Sequence, residues 1–284
     1  MEWRVRTKDG RTLAVEDAGD RAGRPVLVHV GTPNSRHLYG RTVADAAARG
    51  LRLISYDRPG YGESTPQPGR TMADGAADVR AICAALGIEK LVTWGLSGGG
   101  PHVLACAALL PDLVTAAASL CSLAPYDAAG LDWMAGFSPA AVEEVRLMFA
   151  DPAASRATFE EEREQTLAAD PAELAQEWQK TSPDADLAFL TSEAICVQQS
   201  YAAGIEGCWD DCWAQLTPWG FDVTPIAVPV LLLHGRRDEA VPFSHGQWLA
   251  ARIPGVEARF YDNEGHGLRE KHIGEVHAWL AERC

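Results

Sequence analysis

Residues 92–102 read VTWGLSGGGPH, and this stretch decides which fold the chain adopts. Its first residues are apolar and typical of a buried strand, and an apolar helical pattern follows from Ser97 to Leu110. Between them stands GLSGG, a G-x-S-x-G pattern placed directly between a predicted strand and a predicted helix. In that setting the serine sits on a sharp turn that leaves room only for small neighbours. We therefore predict that Ser97 is a nucleophile.

Glycine-rich turns also bind phosphate groups or simply let the backbone bend, so three alternatives compete with the nucleophile. A phosphate-binding loop needs Gly-Lys-Ser/Thr, which does not follow here. A dinucleotide-binding fingerprint needs G-x-G-x-x-G, which the sequence GGGP at 98–101 does not supply. A plain structural turn stays open, and the flanking strand and helix favour the nucleophile over it.

Strands and helices alternate on both sides of this turn. We predict a hairpin around Asp9-Gly10, followed by strands at 25–30, 51–57, 91–95, 113–120, 228–235 and 256–262. We predict helices at 41–49, 71–86, 97–110, 244–252 and from about 269. Such alternation predicts a mostly parallel sheet with helices on both faces.

The alternation is interrupted once, and this interruption predicts the domain organisation. Residues 125–222 hold helical stretches and five of the nine tryptophans, without strand–helix alternation. We predict that residues 1–124 and 223–284 form the α/β core and that 125–222 form a helical cap. Such an insertion lies over the carboxyl ends of the strands, where open α/β sheets bind their ligands.

Two loops after late strands supply the partners that a nucleophilic serine needs. The stretch LLLHGRRDEAVP places Asp238 just beyond a buried strand, and YDNEGHG places His266 between two glycines. A serine hydroxyl is a weak nucleophile unless a base removes its proton and an acid orients that base. The chain order Ser97, Asp238, His266 is the one that accompanies such a turn. We predict a catalytic triad of these three residues.

Each member of this set has a simpler alternative. Asp238 alone fits a turn or helix-cap aspartate, and His266 alone fits a solvated loop histidine. Asp262 and Glu264 are reserve acids, disfavoured because they lie so close to His266 in the sequence. His102, five residues beyond Ser97, is interpreted as a packed helix residue.

An oxyanion hole requires two hydrogen-bond donors, each of which lowers the barrier by about 3 kcal/mol. We predict that one is the backbone N–H of Gly98, the residue after the nucleophile. The other is expected in the loop HVGTPNSR, where Gly31 lets the chain turn closely and Pro33 stiffens it. The Thr32 N–H is the candidate, and a plain turn role for Thr32 is the alternative.

With these residues in place, the sequence resembles the α/β-hydrolase superfamily from about residue 20 to the end. The matching pieces are HVGTP, YDRPGYGES, GLSGGGP, HGRRDEAVP and the Gly265-His266-Gly267 turn. The resemblance implies an α/β-hydrolase fold, that is, a mostly parallel sheet flanked by helices with a helical cap insertion. One departure is that Val30 separates His29 from Gly31, where the family usually has His-Gly.

The resemblance also implies an activity. Ser97 disfavours the epoxide hydrolases and haloalkane dehalogenases, which use an aspartate, and favours the serine branch with its esterases and prolyl-aminopeptidase-like members. In such proteins the YDRPGYGES segment is structural, so Asp57 and Arg58 are not expected to be catalytic. We expect a carboxylesterase-like serine hydrolase that acts on a small hydrophobic molecule through an acyl-enzyme, without metal or organic cofactor. Alternatives are a prolyl-aminopeptidase-like peptidase, a C–C hydrolase, an acyltransferase, or a non-catalytic ligand receptor.

Composition limits the partners. The formal charge of −14 disfavours nucleic acid, which is bound through clustered Lys and Arg. The N-terminal MEWRVRTKDG lacks the apolar region of a secretory signal, and seven cysteines without paired spacing predict reduced thiols in the cytoplasm. Residues 103–124 are apolar, but Pro111 splits them into pieces too short to span a membrane. Cys208 and Cys212 share a helix spacing without further ligands, so no metal site is expected.

Overall fold

The computed structural model describes residues 1–181 and 185–284, and in that part eight strands form one sheet with ten α-helices around it. The strands are β1 (Glu2–Arg6), β2 (Thr12–Gly19), β3 (Arg24–His29), β4 (Leu51–Tyr56), β5 (Leu91–Leu96), β6 (Val114–Leu120), β7 (Val230–Gly235) and β8 (Glu257–Tyr261). The helices are α1 (Gly40–Ala48), α2 (Asp74–Leu86), α3 (Gly100–Leu109), α4 (Pro139–Ala150), α5 (Pro152–Ala168), α6 (Pro171–Thr181), α7 (Leu187–Ser200), α8 (Glu206–Gln215), α9 (Phe243–Arg252) and α10 (Arg269–Ala281).

The sheet is mostly parallel, which confirms the predicted fold class. Its strand order is β1-β2-β4-β3-β5-β6-β7-β8. The pairs β1–β2 and β2–β4 are antiparallel, and every pair from β4–β3 to β7–β8 is parallel. Because parallel strands end at the same edge, the loops after β3, β5, β7 and β8 lie along one side of the sheet.

The central strands form where the sequence is continuously apolar, because helices cover both of their faces. On one face Val92 and Trp94 of β5 share a buried cluster with Leu280 of α10. On the other face Ala117 of β6 packs in a cluster with Leu104 of α3. Full burial of one such aliphatic side chain contributes about 1.5–3 kcal/mol, so this double layer holds the strand ends firmly in place.

The helix after β5 begins later than the sequence predicts. The prediction placed a helix over 97–110, whereas residues Ser97–Gly99 form a 3₁₀ turn and α3 starts at Gly100. The reason is that Ser97 has a φ of +55°, in the left-handed region, which an α-helix cannot contain. Ser97 therefore lies at the apex of the turn between β5 and α3.

The apolar stretch at 103–124 forms the rest of α3 and the strand β6, as predicted. Pro111 lies in the short connection between them, and almost every side chain of α3 is buried. Within the ranges described, no helix combines the length and the apolar character that crossing a membrane requires.

Helices α4 to α8 lie between β6 and β7, inside the segment that the sequence assigns to a cap. The Ser138 hydroxyl accepts a hydrogen bond from the Ala141 N–H at 3.1 Å and so caps α4. Met148 of α4 and Phe159 of α5 belong to the same buried cluster as Leu104 of α3, so apolar packing continues from the sheet into this segment. The division into a core and a cap stays a prediction, and residues 182–184 of the segment lie outside the described ranges.

Candidate active site

The turn that carries Ser97 packs directly against the end of β3. A Cβ added to Gly95 would lie 2.8 Å from the His29 carbonyl oxygen, and one added to Gly99 would lie 2.1 Å from the same atom. Only glycine fits at these two positions, which explains the small neighbours of the serine. The positive φ of Ser97 is a strained backbone conformation for a non-glycine residue, and such strain concentrates at functional sites.

Asp238 and His266 lie together in the loops after β7 and β8. The His266 Nδ1 donates to the Asp238 Oδ2 at 2.9 Å, and its distance to Oδ1 is 3.1 Å. The backbone N–H groups of Ala240 and Val241 donate to Oδ1 at 3.0 and 2.8 Å and fix the carboxylate. Because an ionised carboxylate only accepts, Nδ1 carries the proton and the Nε2 of His266 can act as a base.

The charge state of Asp238 suits the acid that orients a histidine. Burial by itself raises the pKa of its carboxyl, but the hydrogen bond from His266 and the electrostatic attraction of that ring lower it by more, so the pKa lies below its usual value. The side chain of Asp238 is fully buried, whereas that of His266 is 30% exposed. A buried carboxylate beneath a partly exposed imidazole leaves the ring open to a substrate.

The reserve acids have other partners. Asp262 pairs with Arg236 at 2.8 Å, and Glu264 pairs with Lys271 at 3.2 Å. Within the described residues no hydrogen bond joins Ser97 to His266. What places these two in the same region is the parallel order of β5 and β8, whose carboxyl ends share one edge.

The two predicted oxyanion residues contact each other. A Cβ added to Gly98 would lie 2.3 Å from the Thr32 Oγ1 and 3.0 Å from the Gln215 Nε2. The loop after β3 also reaches Ser97, since a Cβ added to Gly31 would lie 3.8 Å from the serine Cβ. In the described part of the chain the Thr32 N–H has no acceptor. The loop after β3 and the turn after β5 therefore form one small cradle.

A buried ionic cluster lies beside this cradle, and sequence analysis missed it. Asp211 of α8 has a fully buried side chain and accepts from Arg58 at 2.5 and 2.9 Å. It also accepts from the Tyr61 hydroxyl and the Thr32 hydroxyl, each at 3.0 Å, and pairs with Arg70. Burial raises the pKa of Asp211, but the two guanidiniums hold it well below the usual range, so it is ionised.

Arg58 joins this cluster to the backbone of the cradle. Its Nη1 donates to the Val30 carbonyl at 2.6 Å, and its Nη2 donates to the Gly31 carbonyl at 2.8 Å. The sequence contains one signal for this cluster, the arginine of YDRPGYGES, because a buried guanidinium needs a carboxylate partner. That partner is 153 residues away in the chain, and nothing local identifies it.

His102 packs in the interior, next to the same cluster. Its ring stacks on that of His29 with centroids 5.8 Å apart, and its Nε2 lies 3.6 Å from the Asp211 Oδ1, longer than a hydrogen bond. Burial lowers the pKa of His102 to about 4, so the ring is neutral at pH 7. It therefore adds no charge to the cluster.

One group of potential metal ligands occurs among the described residues, and it overlaps the acid–base pair. The ligand atoms of Cys121, Asp238 and His266 lie within 4.8 Å of one another. Their proximity is explained without a metal, because the Asp238 carboxylate already accepts from the imidazole and from two backbone N–H groups. Cys208 and Cys212 are free thiols, like the other five cysteines.

A row of aromatic rings runs from the loop after β6 to α8. Trp133 stacks on Phe137 at 5.1 Å and meets the edge of Tyr126 at 5.3 Å. Tyr126 stacks on Phe149 at 5.7 Å, and Phe149 contacts Trp213 at 5.4 Å. Trp133 belongs to the same buried cluster as Leu104 of α3, Tyr126, Phe137 and Trp213 pack against that cluster, and Phe149 is exposed.

Comparison with known proteins identifies relatives over the whole chain. The sequence model of a family described as alpha/beta hydrolase fold matches residues 24–272. A non-heme chloroperoxidase of Streptomyces lividans is 28% identical over 281 residues, covering 94% of this chain and 94% of that protein. A bifunctional esterase/perhydrolase of Acinetobacter calcoaceticus is 34% identical over 122 residues, 43% of this chain and 44% of that protein.

Solved structures share the architecture. The crystal structure of an esterase from Rhodococcus sp. ECU1013 matches with a TM-score of 0.71 and 22% identity, covering 100% of this chain and 99% of that one. At this identity the likeness concerns the fold alone. It shows that the eight-stranded sheet and the helices around it form an arrangement already known from other proteins.

Proposed function

The chain belongs to the alpha/beta hydrolase fold family, and on that premise we propose that it is a serine hydrolase that cleaves a carboxylic ester or related acyl bond of a small hydrophobic molecule. The observation that carries the proposal is the 2.9 Å hydrogen bond between Asp238 and His266. It leaves the imidazole Nε2 available as a base at the sheet edge where the strained Ser97 turn lies. Family membership by itself supports a hydrolase function, and the serine mechanism is the finer proposal.

In the first step, the His266 Nε2 takes the hydroxyl proton of Ser97 as the serine oxygen attacks the ester carbonyl. The carbonyl oxygen becomes an oxyanion, which accepts from the backbone N–H groups of Gly98 and Thr32. The α3 N-terminus adds free N–H groups and the positive end of a helix dipole. His266 then gives its proton to the leaving alcohol, and the acyl group stays on Ser97.

In the second step, His266 removes a proton from water, which attacks the acyl-enzyme carbonyl. The same two N–H groups hold the second oxyanion. Collapse of this intermediate releases the acid and returns the proton to Ser97. Throughout, Asp238 keeps the imidazole in the tautomer that has Nδ1 protonated, and it stabilises the imidazolium.

The ester preference draws on two supports. The Acinetobacter relative is named an esterase/perhydrolase, and the rings of Phe149, Tyr126 and Phe137, which are exposed or half-buried, offer apolar surface for an acyl or alcohol group. A small hydrophobic ester fits such a surface better than a charged peptide.

The proposal is tested with a fluorophosphonate probe and a series of p-nitrophenyl esters of increasing chain length. We expect one adduct on Ser97 and ester turnover in the wild type, and neither in Ser97→Ala. Ser122→Ala is the matched control, because this serine is buried and, within the described residues, its hydroxyl donates to the carbonyl of Leu123 and to no group of the candidate site. Retained turnover in Ser97→Ala would contradict the mechanism. A folded wild type without adduct or turnover would favour a ligand receptor instead.

A second candidate is perhydrolysis, in which hydrogen peroxide replaces water as the acceptor of the acyl group. It is favoured by the printed names of two relatives, a chloroperoxidase and an esterase/perhydrolase. The same acyl-enzyme serves both reactions, so the test is peracid formation from acetate and peroxide. Formation that disappears in Ser97→Ala would support this candidate, and its absence in an active esterase would reject it.

A further inference from the structure

We propose that Asp211 is a positioning residue for the oxyanion hole. From helix α8 it binds the Thr32 hydroxyl and thereby fixes the backbone N–H of Thr32, the donor that faces the substrate together with Gly98. The inference rests on the proposed function, since it names a residue that acts on the oxyanion donors. Asp211 itself touches no reacting atom.

The first support is the use of the Thr32 hydroxyl. A hydroxyl donates one hydrogen bond and accepts two. Thr32 donates to the Asp211 Oδ2 at 3.0 Å, and it accepts from the Arg58 Nη2 at 3.0 Å and the Gln215 Nε2 at 3.4 Å. All three hydrogen-bonding positions of the hydroxyl are used, so the side chain is held in one rotamer. The backbone N–H of Thr32 takes part in none of these bonds and can therefore bind a ligand.

The second support is that the backbone before Thr32 is held by the same cluster. Arg58 donates to the carbonyls of Val30 and Gly31 with the guanidinium that also binds Asp211. The side chains of Arg58 and Asp211 are 1% and 0% exposed, so water does not compete for these contacts. The loop is thus restrained from its side chain and from its main chain by one ion pair.

The third support is the demand for precision at this place. Thr32 contacts the Gly98 backbone so closely that no Cβ fits between them. An oxyanion donor must lie within hydrogen-bond reach of the transition state, and an error of about 1 Å costs about a hundredfold in rate. A buried ion pair is a rigid support for such a donor, whereas a surface loop alone is not.

The test compares Thr32→Val, which removes the hydroxyl and keeps the shape, with Thr32→Ser, which keeps the hydroxyl. For Thr32→Val we expect kcat for a p-nitrophenyl ester to fall by about tenfold to a hundredfold with little change in KM. Affinity for phenylboronic acid, which forms a tetrahedral adduct, should fall in parallel. Thr32→Ser should keep most of the wild-type kcat.

Asp211→Asn should lower kcat at least as much as Thr32→Val, and Asp210→Asn is its matched control. Asp210 is the neighbouring acid on α8, and none of the hydrogen bonds of the Thr32 hydroxyl in the described structure involves it, so the kcat of Asp210→Asn should stay at the wild-type value. Circular dichroism checks the folding of each variant. If Asp211→Asn does not fold, the comparison of Thr32→Val with Thr32→Ser still tests the inference.

The outcomes separate this inference from the proposed function. A wild type without adduct or turnover overturns the proposed function and the inference with it. If the wild type is active and Thr32→Val has the same kcat, the inference alone is overturned. It is also overturned if Thr32→Ser loses as much kcat as Thr32→Val. An equal loss in Asp210→Asn and Asp211→Asn would show a general effect of α8 and would also overturn it.

Discussion

Substituting Gly98 by alanine tests the cradle by a single added methyl group. The new Cβ would lie 2.3 Å from the Thr32 Oγ1 and 2.8 Å from its Cβ, where ordinary contacts begin at 3.4 Å. Thr32 must therefore move by about 1 Å, and a misplacement of that size costs about 10²-fold in rate. Loss of one oxyanion donor costs about 10²–10³-fold, equivalent to about 2.7–4 kcal/mol. We expect kcat to fall within that range.

The assay is hydrolysis of a p-nitrophenyl ester, with kcat and KM measured separately and Ser97 labelling followed by mass. We expect the main loss in kcat, because a displaced oxyanion donor acts on the transition state rather than on substrate binding. Gly267→Ala is the matched control. It also adds a methyl beside the site, but apart from its two chain neighbours no atom of the described residues lies within 4 Å of the new Cβ, so its activity should stay within about twofold of wild type.

A double variant tests whether the clash between the added methyl group and Thr32 causes the loss of kcat. Removing the Thr32 side chain in Gly98→Ala/Thr32→Gly frees the space, so the double variant should be more active than the product of the two single losses predicts. The reasoning would be refuted by wild-type kcat in Gly98→Ala, or by losses that simply multiply in the double variant.

Three further predictions concern the acid Asp238, the ion pair between β2 and β4, and the cysteine thiols. Asp238→Asn should fold and lose about 10⁴-fold in kcat, because the amide favours the wrong imidazole tautomer; a loss below tenfold would point to another acid. Arg52→Met should lower the free energy of unfolding by about 2–3 kcal/mol at pH 7, since Arg52 binds Asp17 through two hydrogen bonds of 2.7 and 2.8 Å. Burial raises the pKa of Asp17, but Arg52 lowers it below the usual value, so this stability is present above pH 4 and lost as the pH falls further; urea titrations should show the gap between variant and wild type closing there, and a gap that widens would contradict the assignment. Ellman's reagent should find one fast thiol in the native protein, Cys284, and seven after unfolding; an unchanged fast phase in Cys284→Ser would show that the half-buried Cys212 or a buried thiol reacts instead.

Much of the fold and part of the candidate site follow from local sequence. The strands β5 and β7 are short, mostly apolar runs that end at glycine-containing turns, a pattern typical of buried parallel strands. The loops that carry Asp238 and His266 are found by position, because each directly follows such a strand. The structure joins these two residues by a hydrogen bond, while the roles of Ser97, Thr32 and Gly98 stay predictions.

What the sequence could not provide depends on distant contacts. The pairing of Arg58 with Asp211 joins residues 153 positions apart, and it exists only because α8 packs against the loop after β3. That packing is set by the shapes of whole helices, which periodicity does not encode. The late start of α3 was missed for a related reason: the left-handed φ of Ser97 is imposed by the surrounding backbone, not by the preference of serine.

The Asp211 cluster also governs how the molecule can move. Lifting α8 away from the sheet would leave the buried guanidiniums of Arg58 and Arg70 without the Asp211 carboxylate, and breaking a buried pair in this way costs about 3–5 kcal/mol. We therefore expect helix α8 to keep its position against the loop after β3. The residues of the cluster lie outside α4 to α7, so under the proposed function we expect a ligand to enter by movement of those helices while Thr32 stays in place.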